Sequence, residues 1–170
     1  MRKSLAIAAA LAAALVPAAV MAAESATANM AGPDGTSMGV VTLTQGPKGV
    51  LVQARMTGLA TGGHGFHIHE SGSCSPDFSA AGDHYNPDGT GHGFLHEGGY
   101  HGGDLPNIHA DEAGNAQADY FASGVSLAED AANTLFDDDG SAIIVHEDAD
   151  SYGAEAGAGG RVACGVIEPD

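Results

Sequence analysis

Nine histidines occur in this chain of 170 residues, and seven of them lie between His64 and His101. Imidazole is the commonest metal-ligating side chain. The densest stretch is His64-Gly65-Phe66-His67-Ile68-His69. In a strand, side chains alternate faces, so Phe66 and Ile68 share one face and His67 and His69 share the other. Two neutral imidazoles so placed can chelate one zinc, copper, nickel or iron ion. His64 falls on the apolar parity and is not expected to be a third ligand of that pair. Alone, an H-x-H pair is a weak signal. His84, His92, His101 and His146 strengthen it, and His101-Gly102-Gly103-Asp104 adds a carboxylate on a short turn. Three imidazole nitrogens and one carboxylate suit tetrahedral zinc. Four imidazoles with an open position suit copper, a geometry with redox use.

These side chains need a rigid frame, and the pattern supplies one made of strands. Val41 and Leu43 alternate with Thr42 and Thr44; Val50, Val52, Ala54 and Met56 alternate with Leu51, Gln53 and Arg55. Pro33-Asp34-Gly35 and Gly46-Pro47-Lys48-Gly49 are turn chemistry. Further short strands are predicted over 105–110, 117–122, 142–146 and 161–167. The spacing predicts an all-β, antiparallel sandwich or barrel. Residues 71–104 show no sustained period and read as a long loop ordered by metal ligands rather than by an apolar face. Residues 126–139 read as an acidic loop with room for a turn of helix, and 147–160 as a second loop.

The N-terminus reads as a leader. Arg2 and Lys3 precede an Ala/Leu-rich apolar run from Leu5 to Val20, and Ala22 and Ala23 offer small residues for cleavage. That is the pattern of a secretory signal peptide over residues 1–22, cut after 22 or 23. The mature chain, residues 23–170, is then one exported domain in the periplasm or secreted, with no membrane association after cleavage. The leader holds two of the five Lys/Arg and none of the 22 Asp/Glu, so the mature chain carries −19. Such a surface repels nucleic acid and anionic lipid. In an exported protein the two cysteines, Cys74 and Cys164, are expected to be bridged.

Several motifs occur together: G-F-H-I-H-E, D-H-Y-N-P, H-G-G-D, I-V-H-E-D-A-D and R-V-A-C-G-V-I. In this combination and order the chain resembles the copper,zinc superoxide dismutases, particularly their bacterial periplasmic branch, from about Gly39 to Ile167. The resemblance implies an eight-stranded antiparallel Greek-key β-barrel, sandwich-like, with two long functional loops. It implies one copper per chain, bound by His67, His69, His84 and His146, and one zinc per chain, bound by His84, His92, His101 and Asp104. His84 would be shared between the metals and, with Arg161, catalytic. Arg161 matches the family's anion-guiding arginine, Asp150 a carboxylate linking His67 to His92, and His64 a non-ligand histidine behind the copper. Cys74 and Cys164 match the family's disulfide. The implied substrate is the superoxide anion, dismuted to dioxygen and hydrogen peroxide. The oligomeric state stays open, a homodimer among the options.

The sequence adds its own support for Arg161. No Lys or Arg occurs between Arg55 and Arg161 or after it, whereas 20 acids follow from Glu70 onward. A lone cation in that setting reads as positioned rather than accidental. The chain departs from the family in having no lysine in the loop after His146. His96 and His109 match no family role and read as surface histidines, with accessory copper capture as the sharper alternative. Asp137-Asp138-Asp139 lacks the spacing of a calcium loop. The competing reading is a non-catalytic periplasmic copper/zinc-binding protein on the same fold; it predicts a lost copper ligand or a missing arginine, and neither is lost.

Overall fold

Alternating apolar residues make each strand one-sided, and eight such strands close on themselves. The computed structural model describes residues 25–170; the expected leader lies outside them. The strands are β1 (Ser25–Ala31), β2 (Ser37–Gly46), β3 (Gly49–Met56), β4 (Gly62–His69), β5 (Asp104–Ala110), β6 (Ala116–Ala122), β7 (Ala142–His146) and β8 (Arg161–Pro169). Around the barrel they run β1-β2-β3-β6-β5-β4-β7-β8, with β8 antiparallel to β1. Connections β3 to β4 and β6 to β7 each pass over two strands, which is the Greek-key crossing. The architecture is the all-β barrel expected from the resemblance.

The core follows the parity of the strands. Val41, Leu43, Val50, Val52, Ala54, Phe66, Ile68, Ile108, Ile143 and Val145 are fully buried in one cluster. His67 and His69 point the other way, yet they too have no exposed surface. Two long loops cover them. Residues 70–103 fold over β4, where Ile68 receives the Tyr85 N–H on its carbonyl and donates its own N–H to Gly103. Residues 147–160 cover the end of β7, with Glu147 N–H donating to Gly160 and Gly65 N–H to Asp148. Leu95 N–H donates to the Tyr152 carbonyl and ties the loops to each other.

Some local features differ from the pattern reading. The loop after β4 is not wholly irregular: Phe78–Ala81 forms one 3-10 turn, capped by the Asp77 carboxylate on Ser79 N–H. Residues 126–139 hold no helix; Ser126 and Thr134 meet in an isolated bridge instead. Strand β4 has a register irregularity between His64 and Phe66. Gly65 sits there because a Cβ would lie 2.9 Å from Ala158 Cβ and 3.1 Å from His67 Cε1. Tyr85 is a packing residue whose hydroxyl donates to the Thr134 carbonyl.

Cys74 and Cys164 form a disulfide that joins the covering loop to β8 across 90 residues. Cross-linking so distant a pair removes chain entropy from the unfolded state. Replacing both cysteines by alanine should therefore lower the unfolding free energy by about 2–5 kcal/mol. Urea unfolding of the metal-free proteins measures this; an unchanged midpoint would show that the bridge leaves stability unaltered.

Candidate metal centre

The anchoring of each ring decides which nitrogen is free. His67 Nε2 lies 2.8 Å from Asp150 Oδ2, which leaves Nδ1 as the lone pair. His69 Nδ1 lies 2.9 Å from the Gly82 carbonyl, and His146 Nδ1 lies 3.4 Å from that of Gly159. Those carbonyls can only accept, so Nε2 is the lone pair in both rings. The three free atoms, His67 Nδ1, His69 Nε2 and His146 Nε2, are buried and have no hydrogen-bond partner. With His84 they form a group whose ligand atoms all lie within 4.8 Å of one another. Buried polar atoms without partners are rare, and four imidazoles converging in this way suit copper.

A second group adjoins the first and shares His84. His84 Nδ1 is 2.7 Å from Asp104 Oδ1, His101 Nδ1 is 3.4 Å from the same oxygen, and His92 Nε2 is 3.8 Å from it. His84, His92 and Asp104 form a second set with ligand atoms within 4.8 Å, and His101 stands at its edge. Three imidazoles and a carboxylate suit zinc. Asp104 Oδ2 accepts from the N–H groups of Gly93 and His101, which fixes the carboxylate. Gly103 is required just before it, because a Cβ would come within 2.2 Å of the Ile68 carbonyl.

Burial sets the charge of these groups. It pushes His69 down to about 2 and His146 down to about 4, and it also lowers His67 and His101. Burial raises Asp104, but the His84 ring and the Gly93 and His101 N–H groups outweigh it and hold the carboxyl below its ordinary range. Asp150 is likewise lowered, burial being outweighed by the His67 hydrogen bond and the Tyr152 N–H. His67, His69, His101 and His146 are therefore neutral and Asp104 and Asp150 ionised at pH 7, which is the protonation state that metal binding requires.

The remaining expected residues lie around this centre. Asp150 Oδ2 touches both His67 Nε2 and His92 Nε2, at 2.8 and 3.0 Å. His64 is buried behind β7, its ring nitrogens 2.7 Å from the His146 carbonyl and 2.8 Å from that of Ala60. Arg161 faces His146 across β7 and β8. Its guanidinium donates to the carbonyls of Phe78 and Gly82, so Gly82 serves both His69 and Arg161. His96 and His109 join none of the three groups of potential ligands, the third being His67, His92 and Asp150.

Comparison with known proteins agrees with this geometry. A sequence profile described as copper/zinc superoxide dismutase (SODC) matches residues 37–167. The chain belongs to the copper/zinc superoxide dismutase family. It is 44% identical to a Cu-Zn superoxide dismutase of Caulobacter vibrioides, covering 85% of this chain and 86% of that one. It is 37% identical to a Cu-Zn superoxide dismutase of Aquifex aeolicus, covering 83% and 86%. The solved structure of a superoxide dismutase-like protein from Bacillus subtilis superposes with a TM-score of 0.79 at 34% identity, covering 82% of this chain and 96% of that one.

One positioning residue of this superoxide dismutase fold went unnoticed in the sequence. Asn107, buried on β5, donates from Nδ2 to the Asp150 carbonyl and accepts the Asp150 N–H on Oδ1. Its own N–H donates to the Tyr152 hydroxyl. An asparagine inside a strand is disfavoured by propensity, and that was the available clue. A clamp of one donor and one acceptor cannot be made by aspartate. Asn107→Asp should lower zinc affinity by about 10–100-fold, the usual effect of losing an outer partner of a ligand, measured by competition with a chromogenic chelator. Tyr152→Phe, which removes one acceptor only, should lower it less. Equal affinity in Asn107→Asp would rule out the clamp.

The lowered pKa values also fix a pH dependence. Between pH 6.5 and about 4, the unfolded chain binds protons at His146, His69 and His67 that the folded chain does not. Stability rises with pH wherever the unfolded state binds more protons. Asp104 and Asp150, lowered in the fold, act in the same direction at more acid pH. The melting temperature of the metal-free protein should fall as pH is lowered from 6.5 to 4. A flat profile would contradict neutral buried rings.

Proposed function

We propose that the chain dismutes superoxide to dioxygen and hydrogen peroxide, with His67, His69, His84 and His146 holding copper and His84, His92, His101 and Asp104 holding zinc. One observation carries this reading: three buried, unpartnered imidazole lone pairs converge with His84, whose Nδ1 lies 2.7 Å from the carboxylate of a second set. Copper held there supplies one-electron redox chemistry, and zinc supplies fixed positive charge without redox change. The stoichiometry is one of each per chain. The leader motif and the disulfide support export, so the mature chain works in the periplasm or outside the cell.

The chain's own residues do the rest. His84 is the proton carrier, because it belongs both to the four-histidine set and to the set with His92 and Asp104, and it keeps partial exposure. Asp150 orients His67 and His92 together. Arg161 draws in the anion: its charge lies beside His69 and His146, and two backbone carbonyls hold its guanidinium fixed. Acidic residues far from the mouth are screened within about 8–10 Å at physiological salt, so a local cation prevails over the net charge.

The direct test is metal analysis of the mature protein, with superoxide decay followed before and after chelation. One copper and one zinc per chain with chelator-sensitive decay is expected. A zinc-only protein that stays inert after copper is added would overturn the reading. Arg161→Gln should lower the second-order rate constant by about tenfold or more and weaken its salt dependence. Without loop lysines, the unaltered protein should itself lose less rate with added salt than family members that carry them; a fall as steep as theirs would contradict this.

A further inference from the structure

The end of the barrel where β2, β4 and β8 begin carries a cleft of about 570 Å³. Most of its lining is apolar. Leu59, in the β3–β4 connection, is buried there, and Met38 on β2 and Val162 on β8 are partly buried against the same core. The buried ring of His64 forms part of the wall, held between the carbonyls of His146 and Ala60. The cleft therefore adjoins the metal centre but takes none of its ligands. A concave, mainly apolar surface of this size with a few placed polar groups is the usual form of a small-molecule site.

Two carboxylates give the cleft its sign. Asp34 stands in the β1–β2 turn, where Oδ1 accepts the Thr36 N–H and Oδ2 accepts the Thr36 hydroxyl, each at 2.9 Å. Those two bonds fix the side chain and hold its carboxyl below the ordinary range. It also lies next to the apolar part: a Cβ on Gly32 would be 3.3 Å from Asp34 Oδ1 and 3.2 Å from the Met38 sulfur. Glu147, the residue after β7, brings the second carboxylate. None of the three Lys/Arg among the described residues lines the cleft. Lys48 sits in the β2–β3 turn at the other end of the barrel, Arg55 is exposed on β3, and Arg161 is turned to the carbonyls of Phe78 and Gly82. A purely apolar ligand would leave both carboxylates unanswered, and an anion would be repelled. A ligand with an apolar body and one positive end matches both parts of the lining.

We propose that this cleft binds a small amphiphilic cation, an arylalkyl- or alkylammonium whose body lies on Leu59, Met38 and Val162 and whose ammonium pairs with Asp34 and Glu147. The site stands independently of the metal chemistry.

Calorimetric titration of the mature, metal-loaded protein with phenethylammonium chloride tests it. A dissociation constant of about 0.1–1 mM is expected for a ligand of this size. 2-Phenylethanol, which keeps the body and lacks the charge, should bind about tenfold more weakly, because exposed ion pairs are individually modest. Phenylacetate should bind more weakly still. The double variant Asp34→Asn, Glu147→Gln should lose about tenfold in affinity for the ammonium and nothing for the alcohol. Ser37→Trp and Ala60→Phe, at exposed positions that line the cleft, should each block it sterically, with circular dichroism and superoxide decay unchanged. No binding of phenethylammonium at about 20 mM, equal binding of the alcohol and the ammonium, or an affinity that neither Ser37→Trp nor Ala60→Phe changes would each overturn the proposal.

Discussion

The structure depends on a set of imidazole lone pairs that are buried and left without hydrogen bonds. His67 Nδ1, His69 Nε2 and His146 Nε2 are held in this state because each ring's other nitrogen is already anchored. An unpaired polar atom in a dry interior costs free energy, and a metal ion is the partner that relieves it. The barrel can carry this cost because β4 and β7 lie side by side in its wall, tightly packed on their inner faces. The stability of the core thus goes into holding a polar cluster on the outside of the wall under two loops.

Those loops are tied down at a few shared atoms. Asp150 Oδ2 serves His67 and His92 together, so the two halves of the centre cannot be oriented independently. The Gly82 carbonyl serves His69 and Arg161, which links a ring of the four-histidine set to the cation beside it. Both atoms belong to loops, and each loop is pinned to the barrel: one through Asn107 on β5, the other through the disulfide to β8. Arrangements of this type make the outer partners nearly as consequential as the ligands. They also explain why a glycine-rich chain, poor in large side chains, can hold a metal centre in fixed geometry.

Much of this could be read from residue types and spacing, and the exceptions have physical causes. Alternation around Phe66 and Ile68 reveals β4 and puts His67 and His69 on one side, because strand parity is a local property. The family motifs supply the expected partners His84, His92, His101, Asp104 and Asp150, which local pattern alone could not bring together. Strand parity separated His64 from the pair; what the pattern could not show is that two backbone carbonyls, from Ala60 and His146, enclose it. Asn107 was invisible for the same reason: it acts on the backbone of a residue 43 positions away. The 3-10 turn at Phe78–Ala81 and the irregularity at Gly65 have no hydrophobic period to betray them.

The central claim is that neutral, pre-anchored rings await the metals and that His84 is shared between them. Proton release on metal binding measures this most directly, by titration calorimetry at pH 7 in buffers of different ionisation enthalpy. Copper added alone to the metal-free protein should release almost no protons, since His67, His69 and His146 are already neutral. Zinc added next should release about one proton, as His84 gives up its last N–H to serve both sites. Substantial release with copper alone, or none when the second metal enters, would contradict a pre-anchored centre with a shared histidine.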